Sequence, residues 1–286
     1  MNTITLTPAQ IAEFNEQGFL ILPGVFNAAE LAAMASEANR LLELAINSSL
    51  ATGERNPRCD VSVNSRGTLD FRKLQPVNDL SDVICRASQD ARLVGPLRQL
   101  MGDHEPILME EKLNYKQTID CPAFIEKFHP HQGDARFNLH HDWGYYRAQG
   151  YPPETLSSAV TIDETTPENG PIRVLPGTHL KDFPLKNPDP AGGNGEVVDG
   201  LFEPDDRVDV LAPAGSVMLF HSRLLHDSKP NTTGRPRRLM IYSHYPGNWH
   251  FEEDKRNRWG REAGQRVEAA YFEKVQSGDY RNLFEL

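Results

Sequence analysis

Histidine and aspartate residues are the most informative chemical groups in this sequence. In the segment Asn-Leu-His-His-Asp-Trp, His140 and Asp142 are separated by one residue, His141. Side chains alternate along a β-strand, so His140 and Asp142 would point to one face and could bind the same cation, while His141 would point to the other. Because the chain has ten histidines, a His-x-Asp pair alone is weak evidence for a metal site.

A third ligand is available further along the chain. His226 lies 84 positions beyond Asp142 and follows an apolar run, 217–220, which is typical of a strand after a Pro-Ala-Gly turn. In a jelly roll, strands this far apart in sequence can lie side by side at the barrel mouth. Two imidazoles and one carboxylate on one face of an octahedron leave three positions open, which is the ligand set of non-haem Fe(II) oxygenases.

A basic residue follows this candidate metal site. Arg237 stands in Gly-Arg-Pro-Arg-Arg and begins a predicted strand, 239–245. A guanidinium in a mostly apolar barrel is costly unless it meets an anion, and its planar fork suits a carboxylate. A 2-oxo acid that chelates the metal and carries a distal carboxylate would satisfy both sites. Arg235 and Arg238 are adjacent alternatives for this role.

Four motifs in a fixed order resemble those of the phytanoyl-CoA dioxygenase family of Fe(II)/2-oxoglutarate oxygenases. Within that family, the sequence is similar to the ectoine hydroxylase branch. The motifs are His-x-Asp at 140–142, Thr-Pro-Glu-Asn-Gly-Pro-Ile-Arg-Val-Leu-Pro-Gly-Thr-His at 166–179, the run from Gly215 through Phe220-His221 to His226-Asp-Ser228, and Asn231 with Arg237. The resemblance covers about 107–245. These motifs are specific for the family and not for a substrate.

The resemblance implies a mainly β fold with flanking helices around a double-stranded β-helix, a jelly roll of the cupin type. It implies that His140, Asp142 and His226 bind iron. It also implies that Arg237, together with Ser228, holds the far carboxylate of 2-oxoglutarate.

Further contacts follow from the same resemblance. Asn114 and Lys116 match a polar pair that often reaches the co-substrate, and on a strand they would share one face with Tyr115 opposite. The segment that contains Trp143 and Tyr146 lines the substrate pocket in this family. We therefore expect these two aromatic residues to contact the substrate.

The implied reaction is hydroxylation, or a related oxidation, of an unactivated C–H bond in a small-molecule metabolite. It consumes 2-oxoglutarate and O2 and releases succinate and CO2. Halogenase relatives carry a small residue in place of the ligand carboxylate, so the presence of Asp142 favours hydroxylation. Two alternatives remain open from the residues alone: a metal-dependent cupin-type isomerase or hydrolase, and a non-catalytic barrel that binds a small acid.

The remaining histidines and acidic runs have structural interpretations. His129 and His131 flank a proline that disrupts strand pairing, so we expect a loop there and not a second metal pair. We expect His179 to cap a turn. The acidic runs 110–111 and 252–254 are interpreted as solvated faces.

Helix signals dominate the first hundred residues. Thr7 and Gln10 form a capping box ahead of a first helix that ends near Gly18, and a strand is predicted at 19–22. The other predicted elements of this part are a second helix from an Asn27 cap to about Ile46, a long loop or lid at 48–77, and two helical stretches within 79–102 that are broken near Gly95-Pro96.

Short β-prone runs dominate the rest of the chain, and their spacing indicates an antiparallel barrel. An inserted loop or lid is predicted at 186–200 and a last helix at 261–275. The predicted strands are 107–116, 137–141, 158–163, 172–175, 208–211, 217–220 and 239–245.

Composition restricts the class of protein. The chain has 286 residues, a net charge of −10, three scattered cysteines, no long apolar run and no signal-peptide pattern. These features predict a cytoplasmic enzyme without disulfides that binds a small molecule and neither nucleic acid nor a membrane. We expect one domain over 1–286, with a helical part at about 1–105, a jelly-roll core at about 106–248 and a helical tail at 249–286. The oligomeric state is not specified.

Overall fold

Two antiparallel sheets form the centre of the computed structural model, which describes residues 3–186, 194–252 and 261–286. The larger sheet has seven strands, in the order β1 (Phe19–Leu22), β9 (Val217–His221), β6 (Leu156–Thr161), β11 (Leu239–Pro246), β4 (Pro106–Ile119), β3 (Leu69–Leu74) and β2 (Cys59–Val63). The smaller sheet has four strands, in the order β5 (Phe137–His140), β10 (His226–Ser228), β7 (Ile172–Val174) and β8 (Val208–Asp209).

Helices pack around the larger sheet, and the second and longest of them contacts the last helix of the chain. Their bounds are α1 (Pro8–Gln17), α2 (Ala28–Thr52), α3 (Asp82–Ala87), α4 (Ala91–Leu100), α5 (Pro122–Phe128), α6 (Trp143–Tyr146) and α7 (Arg261–Ser277). An apolar cluster that includes Val174, Phe220, Leu239 and Ile241 lies between the sheets. Each predicted β-prone run contains a strand, whereas β10, α5 and α6 were not predicted.

The start of the chain follows its capping signals. The Thr7 hydroxyl accepts a hydrogen bond from the Gln10 amide, the Gln10 side chain accepts one from the Thr7 amide, and Gly18 ends α1 in a left-handed conformation. In contrast, α2 was predicted to end near Ile46 and continues to Thr52. The last turns contain polar residues that are typical of the end of a helix, although in this helix they are buried. Asn47 donates to the Glu43 carbonyl at 3.0 Å, so these polar groups are satisfied within the helix.

The segment predicted as a lid is instead a β-hairpin. Residues 59–74 form β2 and β3, and β3 pairs with β4 so that Asp70 lies opposite Thr118. One set of side chains, including Val61 and Phe71, is completely buried. The other set is polar because it lines a cavity, and this mixture hid the alternation that identifies a strand.

The predicted helix break near Gly95-Pro96 is also wrong, because the helices are separated at 88–90. The Asp90 carboxylate accepts a hydrogen bond from the Arg92 amide at 2.9 Å and caps α4. Pro96 lies inside α4, where burial of the apolar face of the helix offsets the loss of one backbone hydrogen bond.

Three further expectations concern the cysteines, membrane-spanning helices and the loop predicted at 186–200. All three cysteines carry free thiols. Among the described residues, no helix combines the length and the apolar character needed to cross a lipid bilayer. The loop predicted at 186–200 lies partly outside the described residues.

A tight turn at Gly215 starts β9 and provides a test of the fold. Gly215 has a φ of 85°, and a Cβ atom added there would lie 2.3 Å from the Phe26 carbonyl oxygen. We therefore expect Gly215→Ala to lower the free energy of unfolding by about 3 kcal/mol, from backbone strain and the clash together. Urea unfolding measures this loss. Gly200→Ala is the control, because Gly200 has a φ of 81° but open space around it. It should cost only about 1 kcal/mol, and equal losses would contradict the proposed clash.

Candidate metal centre

Three side chains converge at one end of the smaller sheet. His140 ends β5, His226 begins β10, and the two residues are partners in the antiparallel register. Asp142 follows β5 after one residue. His140 Nε2 lies 3.6 Å from Asp142 Oδ1, and His226 Nε2 lies 3.9 Å from the same oxygen. Strand pairing therefore brings together residues that are far apart in the sequence.

The two imidazoles are oriented by backbone carbonyls. His140 Nδ1 donates to the Asn138 carbonyl at 2.7 Å, and His226 Nδ1 donates to the Leu224 carbonyl at 2.9 Å. A carbonyl oxygen only accepts hydrogen bonds, so each ring carries its proton on Nδ1. The lone pair of each Nε2 then points towards Asp142, as metal coordination requires.

Electrostatics keep this group ready to bind a cation. Burial raises the pKa of Asp142, but the charge of Lys112 and the neighbouring imidazoles outweigh burial and hold the pKa below its usual range. Burial, followed by the nearby His140 ring, lowers the pKa of His226 to about 4, so this imidazole is neutral at pH 7. Asp142 Oδ2 is buried and has no hydrogen-bond partner in the described structure. The ligand atoms all lie within 4.8 Å of one another, which fits a single metal ion.

A cavity of about 560 Å³ between the sheets extends from this group. Its walls include four other residues that the sequence predicted for the site: Arg237, Ser228, Asn114 and Tyr146. The predicted metal ligands and most of the predicted binding residues therefore share one cavity.

Arg237 is the best-defined anion site in this cavity. Its side chain is 1% exposed. One guanidinium nitrogen, Nη2, donates to the Gly170 carbonyl at 2.6 Å, but Nε and Nη1 have no partner among the described residues. Burial lowers the pKa of Arg237 to about 10, which leaves it charged at pH 7. A buried cation with two free donors fits a carboxylate ligand.

The neighbouring arginines do not compete for this position. Arg235 is exposed at the surface. Arg238 forms an ion pair with Asp163 at 2.7 Å and donates to Asn39. Of the three arginines predicted as alternatives, Arg237 is the one whose guanidinium lines the cavity.

Two predicted residues are not brought to the cavity wall. Lys116 has a left-handed backbone with a φ of 44°, which interrupts the alternation that placed it beside Asn114, and its ammonium donates to the Lys229 carbonyl. The Trp143 indole stacks on His141 at a centroid distance of 6.3 Å and donates to the Tyr151 carbonyl. Neither side chain lines the cavity in the described structure, so their predicted contacts are not supported by this placement.

The run 110–111, interpreted as a solvated face, is instead built into the protein. Glu110 lines the cavity and accepts hydrogen bonds from Gln75 and Tyr146, each at 2.8 Å. Glu111 is 4% exposed and pairs with Arg261 on α7. In the other acidic run, Glu252 is exposed, while residues 253 and 254 lie outside the described residues.

Sequence reasoning also missed the charged wall formed by Glu110 and Lys112. Both lie on the face of β4 that carries Asn114, so the alternation Glu-x-Lys-x-Asn was a signal for it. Lys112 Nζ lies 2.8 Å from Glu110 and 3.9 Å from Asp142, which connects this wall to the candidate metal centre.

The sequence predicted a loop at His129 and His131 and a turn at His179. His129 ends α5 in a left-handed conformation. His179 is buried, and its Nε2 donates to the Asn15 carbonyl at 3.1 Å. Within the described ranges, His140, Asp142 and His226 form the one group of three side chains that could hold a metal ion.

Comparison with known proteins gives a consistent result. The sequence profile described as phytanoyl-CoA dioxygenase (PhyH) matches residues 14–239. An ectoine dioxygenase from Halomonas elongata is 29% identical over 247 residues, which are 81% of this chain and 68% of the relative.

Solved structures share the fold. The structure of EctD from S. alaskensis with 2-oxoglutarate and 5-hydroxyectoine has a TM-score of 0.65 at 23% identity, and the match covers 89% of this chain and 81% of the other. The epimerase SnoN, in complex with Fe3+, alpha ketoglutarate and nogalamycin RO, has a TM-score of 0.63 at 20% identity and covers 86% of each chain. These likenesses confirm the predicted mainly β fold with flanking helices.

Proposed function

The chain belongs to the phytanoyl-CoA dioxygenase family, and from this membership we propose that it oxidises an unactivated C–H bond of a small-molecule metabolite, by hydroxylation in the first instance. The predicted family and the predicted enzyme class, a 2-oxoglutarate-dependent non-haem iron dioxygenase, are confirmed. Iron, 2-oxoglutarate and O2 are its cofactor and co-substrates. The proposal extends this class to a reaction on a compact polar metabolite.

One observation carries the proposal. A single cavity contains both a group of metal ligands and a buried guanidinium with two free donors. A metal-dependent isomerase or hydrolase has no need for the second feature, and a small-acid-binding barrel has no need for the first. A co-substrate that chelates a metal at one end and carries a carboxylate at the other end uses both.

The protein side chains have separate tasks in this proposal. His140, Asp142 and His226 would hold Fe(II) on one face and leave its other positions open. Bound Fe(II) and 2-oxoglutarate would allow O2 to oxidise the substrate, and 2-oxoglutarate would be converted to succinate and CO2. Arg237 would bind the far carboxylate of 2-oxoglutarate, with Ser228 beside it on the cavity wall.

The cavity also has features that would orient a substrate. Tyr146 is 2% exposed, and its hydroxyl is held by Glu110 at 2.8 Å and Ser243 at 3.1 Å, so the ring has one fixed position. Asn114 Oδ1 is buried without a partner in the described structure and is available to a ligand. Fixed walls of this kind hold a C–H bond in place and exclude water from the reaction.

Anaerobic titration tests the proposal. We expect the purified protein with Fe(II) and 2-oxoglutarate to develop a weak visible charge-transfer band, because the 2-oxo acid chelates the metal. Succinate in place of 2-oxoglutarate is the control and should give no such band. Admission of O2 with a metabolite extract should then yield an oxygenated product, detected by mass spectrometry, that depends on 2-oxoglutarate. Absence of the band from the iron-loaded protein would contradict the proposal.

A further inference from the structure

Most charged groups that line the cavity are already paired within the protein. Arg136 pairs with Asp134, and Lys112 pairs with Glu110 at 2.8 Å. Asp227 is held by two arginines from outside the cavity, Arg173 and Arg207. These pairs neutralise one another and leave little net charge for a ligand to meet.

Lys73 is an exception among these charged groups. It lies on β3, directly across from Asn114 of β4, and its side chain lines the cavity. Across the described residues, its ammonium makes no hydrogen bond and no ion pair. Lys73 is half-buried, and burial, followed by the charge of Lys112, lowers its pKa.

The carboxylates near Lys73 are engaged elsewhere. Asp60 lies 3.6 Å from Arg72, and Glu110 is held by Lys112, Gln75 and Tyr146. Asp60 lies opposite Lys73 in the register of β2 and β3, but the ion pair that the structure records for it is the one with Arg72. The Lys73 ammonium is therefore available to an anion that enters the cavity.

The position of Lys73 separates it from the co-substrate site. Lys73 lies on β3 and Arg237 lies just before β11, and these two strands pair with opposite edges of β4. Among the described cationic side chains that line the cavity, Arg237 and Lys73 are the two without an ion pair, whereas Arg72, Lys112 and Arg136 each have one. The far carboxylate of 2-oxoglutarate accounts for the first and leaves the second unassigned.

We propose that Lys73 binds a carboxylate of the substrate, so that the enzyme acts on a small carboxylate-bearing metabolite. A carboxylate is favoured over a phosphate because a single ammonium without a second free cation matches one negative charge. This inference rests on the proposed function, since it assigns Arg237 to 2-oxoglutarate. It also gives the β2–β3 hairpin a role, because that hairpin holds Lys73 against the cavity.

The first step of the test identifies the substrate. Purified wild-type enzyme with Fe(II), 2-oxoglutarate and O2 is incubated with a metabolite extract, and the oxygenated product is identified by mass spectrometry. We expect a carboxylate in the consumed compound. A neutral or purely cationic substrate would overturn the inference.

The second step compares this acid with its primary carboxamide. We expect the wild-type enzyme to prefer the acid by roughly 10- to 100-fold in kcat/KM, the value of one charge-assisted hydrogen bond. Lys73→Gln should remove this preference and leave the KM for 2-oxoglutarate and the anaerobic charge-transfer band unchanged. Lys73→Arg should restore part of the preference. Lys181→Gln is the matched control, because Lys181 is exposed and lies outside the cavity.

The outcomes separate this inference from the proposed function. An unchanged preference for the acid in Lys73→Gln, or a raised KM for 2-oxoglutarate in that variant, would overturn the role of Lys73 and leave the oxygenase proposal standing. A wild-type protein without the charge-transfer band, or one with the band but with no oxygenated product, would overturn the proposed function and this inference with it.

Discussion

Asp142→Ala is expected to abolish turnover. The variant loses the one carboxylate among the three candidate ligands, and the two imidazoles are then left beside Lys112, whose ammonium lies 3.9 Å from Asp142 in the native site. Repulsion from this cation is no longer compensated when a metal approaches. We expect succinate formation to fall by roughly 1000-fold or more, equivalent to several kcal/mol of transition-state stabilisation. The anaerobic charge-transfer band should disappear in parallel.

The control for this variant is Asp120→Ala. Asp120 follows β4, is exposed and does not line the cavity, so its removal should leave both readouts unchanged. Circular dichroism should show that Asp142→Ala keeps the native fold, because Glu110 still pairs with Lys112. A folded Asp142→Ala protein that retains iron and full activity would show that the metal is bound elsewhere.

Arg237→Met is expected to raise the dissociation constant of 2-oxoglutarate by at least roughly 100-fold. The two free donors of Arg237 can each make a charge-assisted hydrogen bond to the far carboxylate, and each such bond contributes about 1.5–3 kcal/mol. Iron binding should be retained, because Arg237 is not one of the three clustered ligands. Calorimetric titration with 2-oxoglutarate measures the change directly.

Stability provides a second readout for the same variant. A buried guanidinium with two unpaired nitrogens is destabilising until an anion binds, so the cofactor-free Arg237→Met protein should melt at a temperature no lower than that of the wild type. The increase in melting temperature that 2-oxoglutarate produces in the wild type should be lost. Arg235→Met is the matched control, because Arg235 is exposed. Equal losses of 2-oxoglutarate affinity in the two variants would exclude the assigned role of Arg237.

The hairpin β2–β3 illustrates where sequence reasoning fails. Its strands carry Asp60, Arg72 and Lys73, which are typical of a solvated loop. Those side chains are polar because they line the cavity, and the alternating partners such as Phe71 are fully buried. A strand whose two faces meet a core and a polar cavity lacks the simple pattern of a strand with one face in water. Lys73, which we propose to bind the substrate, lies in this segment.

Local sequence patterns were enough to single out His140 and Asp142 as candidate ligands and to predict the ends of some helices. A period of two predicted that His140 and Asp142 share one face, and their side chains lie close together even though Asp142 follows the end of β5. The Thr7 and Asn27 caps act within a single turn of helix. Family motifs then supplied His226 and Arg237. Long-range packing decided the rest. Arg238 is engaged because Asp163 comes from a distant strand end, and Lys116 leaves the cavity because its backbone turns left-handed against β3. Lys73 faces a ligand cavity only because β3 pairs with β4, and no local pattern specifies that pairing, since it depends on which surfaces are buried together.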